Sequence, residues 1–441
     1  MAPRRIEARD LPVGHPLARR LQRDSLDARR VTIEHDGHAV EAREGEPVAL
    51  SLAAAGRLLL ARSPKYHRPR GAACLRGDCD GCLVRIDDTP GVMACRTDAA
   101  SGMKITSQNA FPSAGLDVFG VTDWFFPKHM DHHKLMVGFG DAINRTMQVF
   151  ARRMAGLGTL PEEPGSVVAH TEREVDVLIV GAGSAGCAAA RVLSDKGFST
   201  LLVDEERTHG GDRLDRVDDE GPIAALPSNI EALTDASAVA TFDNGTLVLR
   251  GGAITRVRAR ARLFATGCHD LIGSFARNDL PGIFTARAFS RALSRGVLLG
   301  ERPVIVGSSA WAAPLYDLAK SLKLKAEWLP EGVITEALGS RQVVEVTVRD
   351  GDRKRTLSCD ALVSAEEPVA AYELPGQAGA CLAWDERRRA FTPRSDEDGA
   401  TDAKGVYVAG SVRRRFDSHA GREADGALAA GRIARDLGGA T

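Results

Sequence analysis

The 441-residue chain carries almost no net charge: 58 Lys and Arg stand against 59 Asp and Glu, leaving −1 at pH 7. That balance excludes a strongly basic, nucleic-acid-binding surface, and 44% apolar residues exclude a highly charged disordered chain. Aromatic residues are also few, at 5%. Long hydrophobic runs are missing. The most apolar stretch, Val175 to Leu193, is interrupted by Asp176, Gly181, Gly183, Gly186 and Arg191, so it reads as a buried strand and helix and not as a membrane span. The first 30 residues are Arg-rich, mix acids among the arginines and lack an apolar core, which argues against a secretory signal; Arg4-Arg5 lacks the core that twin-arginine export needs. The expected setting is therefore cytoplasmic and reducing, where clustered thiols read as metal ligands before disulfides.

What is present is uneven. The length allows two or three domains at about 150 residues each, and the 45 glycines suit tight strand-to-helix turns. Four of the eight cysteines fall between positions 74 and 95; the others stand alone at 187, 268, 359 and 381. Residues 31–107 read as a small β-rich module: Val31-Thr-Ile-Glu-His and Ala39-Val-Glu-Ala-Arg alternate around Asp36-Gly37, Val48 to Ala55 is helix-like, and short β runs follow at Leu83–Ile86 and Lys104–Thr106. Phe111, Phe119, Trp124, Phe125, Phe126, Phe139 and Phe150 crowd into 40 residues, which suggests a docking surface or an interdomain contact. Met136, Phe139, Ile143, Met147, Phe150 and Met154 recur at helical spacing, a stripe read as packing, and Pro161-Glu-Glu-Pro164-Gly165 marks a linker.

Cys74, Cys79, Cys82 and Cys95 have the spacing C-x4-C-x2-C-x12-C, and the first three match the plant-type ferredoxin arrangement for a 2Fe-2S cluster. Gly71, Ala72, Ala73, Gly77 and Gly81 give the loop freedom to bend around sulfides and aim N–H groups at them. A structural zinc site is the competing reading. Further on, Val177-Leu-Ile-Val-Gly181-Ala182-Gly183-Ser184-Ala185-Gly186 places G-x-G-x-x-G between a β-branched strand and an Ala-rich helix. Gly181 makes the bend, Gly183 admits a pyrophosphate, Gly186 lets the helix approach the strand, and the helix amino terminus stabilises phosphate charge. The strand Thr200–Val203 then ends in Asp204 and Glu205, where a carboxylate accepts ribose hydroxyls and repels the 2′-phosphate of an NADP-type ligand.

A second unit at Val306-Gly307-Ser308-Ser309-Ala310-Trp311-Ala312 keeps only the first glycine, and its next strand, Lys325 to Leu329, ends without a well-placed acid, which argues against an NADH site there. Cys187 and Cys268 read as buried thiols. The triplets Arg387–Arg389 and Arg413–Arg415 read as solvated. His129, His132 and His133 read as an exposed or subunit-facing loop. His67, beside Lys65, Arg68 and Arg70, is read either as a brace for the cluster loop or as part of an electron path or flavin-phosphate contact.

Arg62-Ser-Pro-Lys-Tyr-His-Arg-Pro-Arg-Gly71, Ser107-Gln-Asn-Ala-Phe-Pro-Ser113 and Ala155-Gly-Leu-Gly158 ahead of the GAGSAG turn resemble the amino-terminal part of the α subunit of heterotetrameric sarcosine oxidase. The same layout resembles subunits of hydrogen cyanide synthase and of opine and D-hydroxyproline dehydrogenases. Leu263-Phe-Ala-Thr266-Gly267 and Asn278-Asp-Leu-Pro-Gly282 resemble the ATG strand and PG turn of two-dinucleotide-binding flavoproteins. Gly210-Gly211 resembles the glycine pair near a diphosphate or isoalloxazine. Where that superfamily has Ala-Gly-Asp against the flavin ribityl chain, this sequence has Ala409-Gly410-Ser411.

The resemblance implies an α/β plus α+β chain: an arm at 1–30, a β-grasp 2Fe-2S ferredoxin-like domain at 31–110, a connector at 111–170, and a Rossmann-like two-dinucleotide-binding flavoprotein fold at 171–441 whose second unit is degenerate. It implies FAD, or NAD or another adenine nucleotide, in the Gly181–Gly186 site, with FMN shared with a partner. It also implies a flavin-containing β subunit, and further small subunits, of a hetero-oligomer. The expected function is that of an oxidoreductase subunit for CH–NH or CH–NH2 donors of sarcosine, glycine, proline or opine type. Electrons would pass from the partner flavin through FMN to 2Fe-2S and on to a quinone, carrier or oxygen, with no nucleic-acid partner. The sequence departs from sarcosine oxidase α in stopping near 441 without the folate-binding region, so delivery of a one-carbon unit to folate is not expected from this subunit. The alternatives are a self-contained FAD-dependent NADH:acceptor oxidoreductase and a non-catalytic scaffold subunit. No catalytic residue is assigned.

Overall fold

A computed structural model describes residues 28–64, 66–118, 168–218, 224–386, 388–414 and 418–438, with Phe416 and scattered positions from 140 to 149. The His129, His132 and His133 group, the aromatics from Phe119 to Phe139 and most of the Met and Phe stripe lie outside the described residues. Among those described, no helix is long and apolar enough to cross a membrane. The chain divides into two compact units: Glu163–Asp270 with Glu367–Thr441, and Pro3–Glu162 with Leu271–Glu366.

The second unit contains the β-rich module. Arg30–His35 and His38–Arg43 pair as a hairpin closed by Asp36 and Gly37, with φ of 50° and 77°. Two successive positive φ values define the turn whose twist matches the strands, which is why Asp-Gly stands there. Val31, Ile33, Val40 and Ala42 point inward, and the buried Val48–Ala54 helix covers that face. The sheet runs His38–Arg43, Arg30–His35, Lys104–Thr106, Leu83–Ile86, Thr89–Met93, with Arg30–His35 and Lys104–Thr106 parallel. This mixed sheet with one helix is the expected β-grasp. Thr89–Met93 escapes sequence reading because Pro90 and Gly91 weaken the strand pattern, and it is tolerated because it lies on the sheet edge.

The same unit also holds a parallel sheet ordered Ile283–Thr285, Ala361–Ser364, Pro303–Val306, Glu327–Leu329, with the Ala286–Ser294 and Ala312–Ser321 helices between its strands in sequence, and a three-stranded antiparallel sheet of Val333–Leu338, Glu345–Asp350 and Arg353–Ser358. All residues of the first three strands are buried, the continuous apolar signature of a parallel sheet covered on both faces.

The other unit is built on parallel strands in the order Glu231–Leu233, Thr200–Val203, His170–Val180, Ala253–Phe264, Val406–Val408. Between Asp204 and Ala265 the described residues add the short Gly211–Asp215 helical turn, the Glu231–Leu233 strand and a compact antiparallel meander, Ser237–Phe242 and Gly245–Arg250 leading into Ala253–Phe264. The Ser184–Asp195 and His419–Asp436 helices share one core with Val177, Ile179, Leu193, Leu202, Leu263 and Ile433. Each such fully buried Leu or Ile contributes about 1.5–3 kcal/mol. The carboxyl ends of four neighbouring strands thus form a row that ends at Val203, Val180, Phe264 and Val408.

Candidate cluster loop and nucleotide site

The four clustered cysteines come together. Cys79 touches Cys74, Cys74 touches Cys95, and Cys95 touches Cys82, so the thiols form a chain of contacts. Cys74, Cys82 and Cys95 are buried. Backbone amides face the sulfurs: those of Arg76 and Cys79 at Cys74, those of Gly81 and Ala73 at Cys79. Hydrogen bonds from Cys79 and Cys95 hold Cys74 far below the ordinary thiol range, at about 2, and Cys95 holds Cys82 low in the same way. The Cys79 and Cys95 thiols are driven upward by the same contacts.

Four thiols linked in a chain of contacts, with amide donors around them, form a site for thiolate-bound metal, since thiolates bind metal and N–H groups favour the ionised sulfur. Among the described residues, no three His, Cys, Asp or Glu side chains are arranged around a single ion. The loop depends on glycine at particular points. A Cβ on Gly81 would stand 2.1 Å from the Gly71 carbonyl oxygen, one on Gly71 would stand 2.4 Å from that of Leu58, and Gly77 has φ +96°. The loop is also tied down within its own unit: Ala73 C=O accepts from the Thr285 N–H at 3.1 Å, and Arg70 pairs with Asp279 at 2.7 Å. His67 is buried and braced, its Nδ1 2.7 Å from Asp117 Oδ2.

In the other unit the Gly181–Gly186 turn has the geometry its glycines demand. Gly181 has φ +104°, and a Cβ there would meet the Ala265 oxygen at 2.3 Å; one on Gly186 would meet the Gly181 oxygen at 1.8 Å. Gly183 is different: nothing lies nearer than Gly211 Cα at 3.9 Å, so its surface is open to a ligand. Gly183 is the N-cap of the Ser184–Asp195 helix and no side chain caps its amides, which leaves the positive end of the helix for an anion. Ser184 Oγ lies 2.9 Å from His419 Nδ1, and burial lowers that imidazole to about 4. Ala185 packs against Gly410 and Gly426.

The polar atoms of Ala182 are spent internally. Its N–H donates to Asp204 Oδ2, and its carbonyl accepts from the Gly210 N–H at 2.8 Å and from the Cys187 thiol at 3.1 Å. Asp204 Oδ1 also accepts from the Glu206 N–H at 2.7 Å. Both oxygens of Asp204 therefore hold the turn together, and burial raises its carboxyl to about 6 despite those bonds. Glu205 is exposed at the end of the strand. Gly210 and Gly211 have φ of 134° and 60°, and Gly211 approaches Gly183 so closely that a Cβ on it would lie 2.9 Å from Gly183 Cα.

Thr266 Oγ1 donates to Ala371 C=O at 2.7 Å, and Gly267 C=O accepts from the Ala371 N–H at 3.1 Å. Gly410 (φ +75°) donates its N–H to Asp425 Oδ2 at 2.8 Å, and Ser411 C=O accepts from the Cys268 thiol at 3.2 Å.

The partnerships of several buried side chains were invisible to motif reading. Asp425 has a fully buried side chain and receives Arg413 Nη1 at 2.9 Å and Arg414 Nη2 at 2.7 Å. Arg413 is itself almost wholly buried, so the expectation of a solvated triplet fails there: helical spacing on the last helix aims a carboxylate at it. Arg388, from the other triplet, is likewise buried. In the second Gly-turn, Gly307 keeps the bend, with φ +108° and a Cβ position 2.4 Å from the Ala365 oxygen. Trp311 is buried there, and Trp328, on the strand that would carry an acid, donates Nε1–H to Gly307 C=O at 2.9 Å.

A thiol-loop β-grasp module and a Gly-turn dinucleotide fold in one chain define an iron–sulfur, nucleotide-binding α/β protein. Comparison with known proteins agrees: residues 28–110 match the family described as a 2Fe-2S iron-sulfur cluster binding domain, and residues 175–329 match pyridine nucleotide-disulphide oxidoreductase. The chain is similar to the alpha subunit of sarcosine oxidase from Rhizobium meliloti, at 27% identity over 95% of this chain and 47% of that protein. It is similar to an opine oxidase subunit of Agrobacterium tumefaciens at 24% identity, covering 53% and 60% of the two chains. It is also similar to the HcnA subunit of hydrogen cyanide synthase from Pseudomonas aeruginosa at 38% identity, covering 22% of this chain and 93% of that one. The chain spans about half or less of the length of the sarcosine oxidase subunits it matches. Among solved structures, L-proline dehydrogenase from P. horikoshii shares the fold, with a TM-score of 0.72 at 23% identity over 94% of this chain and 75% of that one. The chain belongs to the family of these sarcosine oxidase, opine oxidase and hydrogen cyanide synthase subunits, with a 2Fe-2S domain followed by a pyridine nucleotide-disulphide oxidoreductase domain.

Proposed function

We propose that this chain is the iron–sulfur, nucleotide-binding member of a multi-subunit flavin-dependent dehydrogenase or oxidase that acts on CH–NH or CH–NH2 donors such as sarcosine, glycine, proline or opines. The observation that carries the reading is the contact chain of Cys79, Cys74, Cys95 and Cys82 together with a folded dinucleotide turn in the same polypeptide. A 2Fe-2S cluster, when bound, supplies one-electron transfer, and these four thiolates with the Ala73, Arg76, Cys79 and Gly81 amides would hold it. In the other unit Gly183 and the amides that follow receive the diphosphate of FAD, or of NAD or another adenine nucleotide. Glu205 accepts the ribose hydroxyls, since Asp204 is occupied by the turn. Gly210, Gly211, Thr266, Gly267, Gly410 and Ser411 line the remainder. Oxidation of the amine belongs to a flavin-bearing partner subunit, with FMN between subunits and a quinone, carrier or oxygen downstream. The domain limits follow the sequence reading, 31–110 for the cluster domain and 171–441 for the nucleotide domain, and the setting is cytoplasmic.

The self-contained NADH:acceptor reading is disfavoured by the second turn, where bulky Trp311 is buried and Pro330 follows the Glu327–Leu329 strand at the point where Asp204 follows Thr200–Val203 in the first. The test is to purify the complex from its native host, identify its partner chains and extracted flavins and nucleotides, and reduce it with candidate amines. A cluster signal in the electron paramagnetic resonance spectrum that grows on reduction supports the relay. An unchanged signal while substrate is turned over refutes it.

A further inference from the structure

Arg388 sits in the tight turn between the Leu382–Asp385 and Ala390–Pro393 strands, and only 8% of its surface is exposed. One edge of its guanidinium is half used: Nη2 donates to Cys268 Sγ at 3.1 Å, while Nη1 is buried with no partner among the described residues. The Cys268 thiol in turn donates to the Ser411 carbonyl at 3.2 Å, so in that arrangement the sulfur carries its proton and leaves the arginine's charge uncompensated. The acids nearest in effect to Cys268 are Asp270 and Asp212, and Asp212 is engaged by Arg422 at 3.2 Å. A buried guanidinium without a counter-ion is costly, and a fork with one unpartnered nitrogen suits an anionic oxygen. Position supplies the ligand. Cys268 follows Thr266 and Gly267, Ser411 follows Gly410, and both turns leave the Ala253–Phe264 and Val406–Val408 strands at the end of the row opposite to Asp204 and Glu205.

We infer that Arg388, steadied by Cys268, is an anion-recognition group of the nucleotide site, its Nη1 receiving a negatively charged oxygen at the end of the ligand remote from the adenosine carboxylates. This rests on the nucleotide site proposed above. Two sources share that chemistry: the terminal phosphate of an adenine nucleotide, and the pyrimidine ring of a reduced flavin.

The test titrates the whole purified chain and its Arg388→Met and Arg388→Lys variants calorimetrically with ATP, ADP, and FAD in oxidised and dithionite-reduced forms, alongside thermal unfolding of the ligand-free proteins. The wild type is expected to prefer the more anionic member of one pair, ATP over ADP for the phosphate or reduced over oxidised FAD for the ring. Arg388→Met should lose that preference by about tenfold to a hundredfold, as for a buried charged hydrogen bond, and keep its affinity for ADP. Arg388→Lys should retain part of it. The unfolding midpoint of ligand-free Arg388→Met should hold or rise, because an unpaired buried charge has gone. A preference that survives in Arg388→Met, or a midpoint that falls while the preference stays, makes the arginine structural and overturns the inference. A wild type that binds nucleotide with no anionic preference overturns the inference alone. One that binds none of the ligands overturns the nucleotide reading with it.

Discussion

Replacing Asp425 tests the buried polar knot behind the nucleotide turn. Its side chain is fully buried, and its two oxygens satisfy the Gly410 N–H, the almost fully buried Arg413 and the half-exposed Arg414. Asp425→Ala takes the carboxylate from a buried guanidinium, leaving it only the Asp396 and Glu397 carbonyls, and strands a buried backbone amide at once. Removing one partner of a buried pair costs about 3–5 kcal/mol, most of it the penalty of the charge left behind. Asp425→Asn keeps an acceptor for Gly410 but loses the charge, and should cost about 1–3 kcal/mol. If the stranded arginine is the reason, adding Arg413→Met to Asp425→Ala should recover roughly half of the loss, whereas Arg414→Met should recover little because that side chain reaches water. Urea unfolding of these four variants and of Arg413→Met and Arg414→Met alone, followed by far-ultraviolet circular dichroism, gives the coupling. A loss under about 1 kcal/mol for Asp425→Ala, or no coupling to Arg413, would refute the reasoning.

Three further outcomes follow from the same geometry. Gly186→Ala drives a Cβ to 1.8 Å from the Gly181 oxygen and should cost about 3 kcal/mol, while Gly183→Ala, with nothing closer than 3.9 Å, should fold normally and lose nucleotide affinity at least about tenfold; equal stability for the two would contradict this. Gly81→Ala keeps all four thiols yet places a Cβ 2.1 Å from the Gly71 oxygen, so iron content and visible absorption of the purified chain should drop as far as in Cys82→Ala. Burial lowers His419 from 6.5 to about 4, so the unfolded chain takes up that proton first and stability falls as pH drops from 6.5 towards 4. Asp204, raised from 3.8 to about 6, works in the opposite sense over much of the same window, because the native state is the first to bind its proton. The difference between His419→Gln and wild type isolates the first effect, and should move in favour of the variant by about 3 kcal/mol between pH 7 and 4; a flat difference would rule out a neutral buried His419.

The cluster loop was legible because its chemistry is local: four sulfurs within 22 residues, with small residues where backbone must pass backbone, leave few other structures for Cys74 to Cys95 to adopt. The Gly181 turn was legible for the same reason, since a glycine whose Cβ would strike the Ala265 oxygen announces itself as a glycine. What sequence could not resolve was the division of labour between neighbours. Asp204 and Glu205 look interchangeable as ribose acceptors, and only the fold turns one inward to hold Ala182 and Glu206 while the other stays exposed.

Long-range partnerships were equally hidden. Arg413 and Arg388 sit in charged triplets that read as surface, and each is buried against a partner outside its triplet, Asp425, 12 positions on, in one case and Cys268, 120 positions away, in the other. These two arginines differ in one decisive respect. Arg413 has its carboxylate within the protein and its charge is accounted for; Arg388 has only a protonated thiol. A fold that completes one buried ion pair and leaves a second cation facing the turns that follow the same row of strands has assigned them different tasks, structural for the first and ligand-directed for the second. The two substitutions should therefore part company: truncating Arg413 lowers stability and leaves the choice among nucleotides unchanged, whereas truncating Arg388 changes that choice and leaves stability intact.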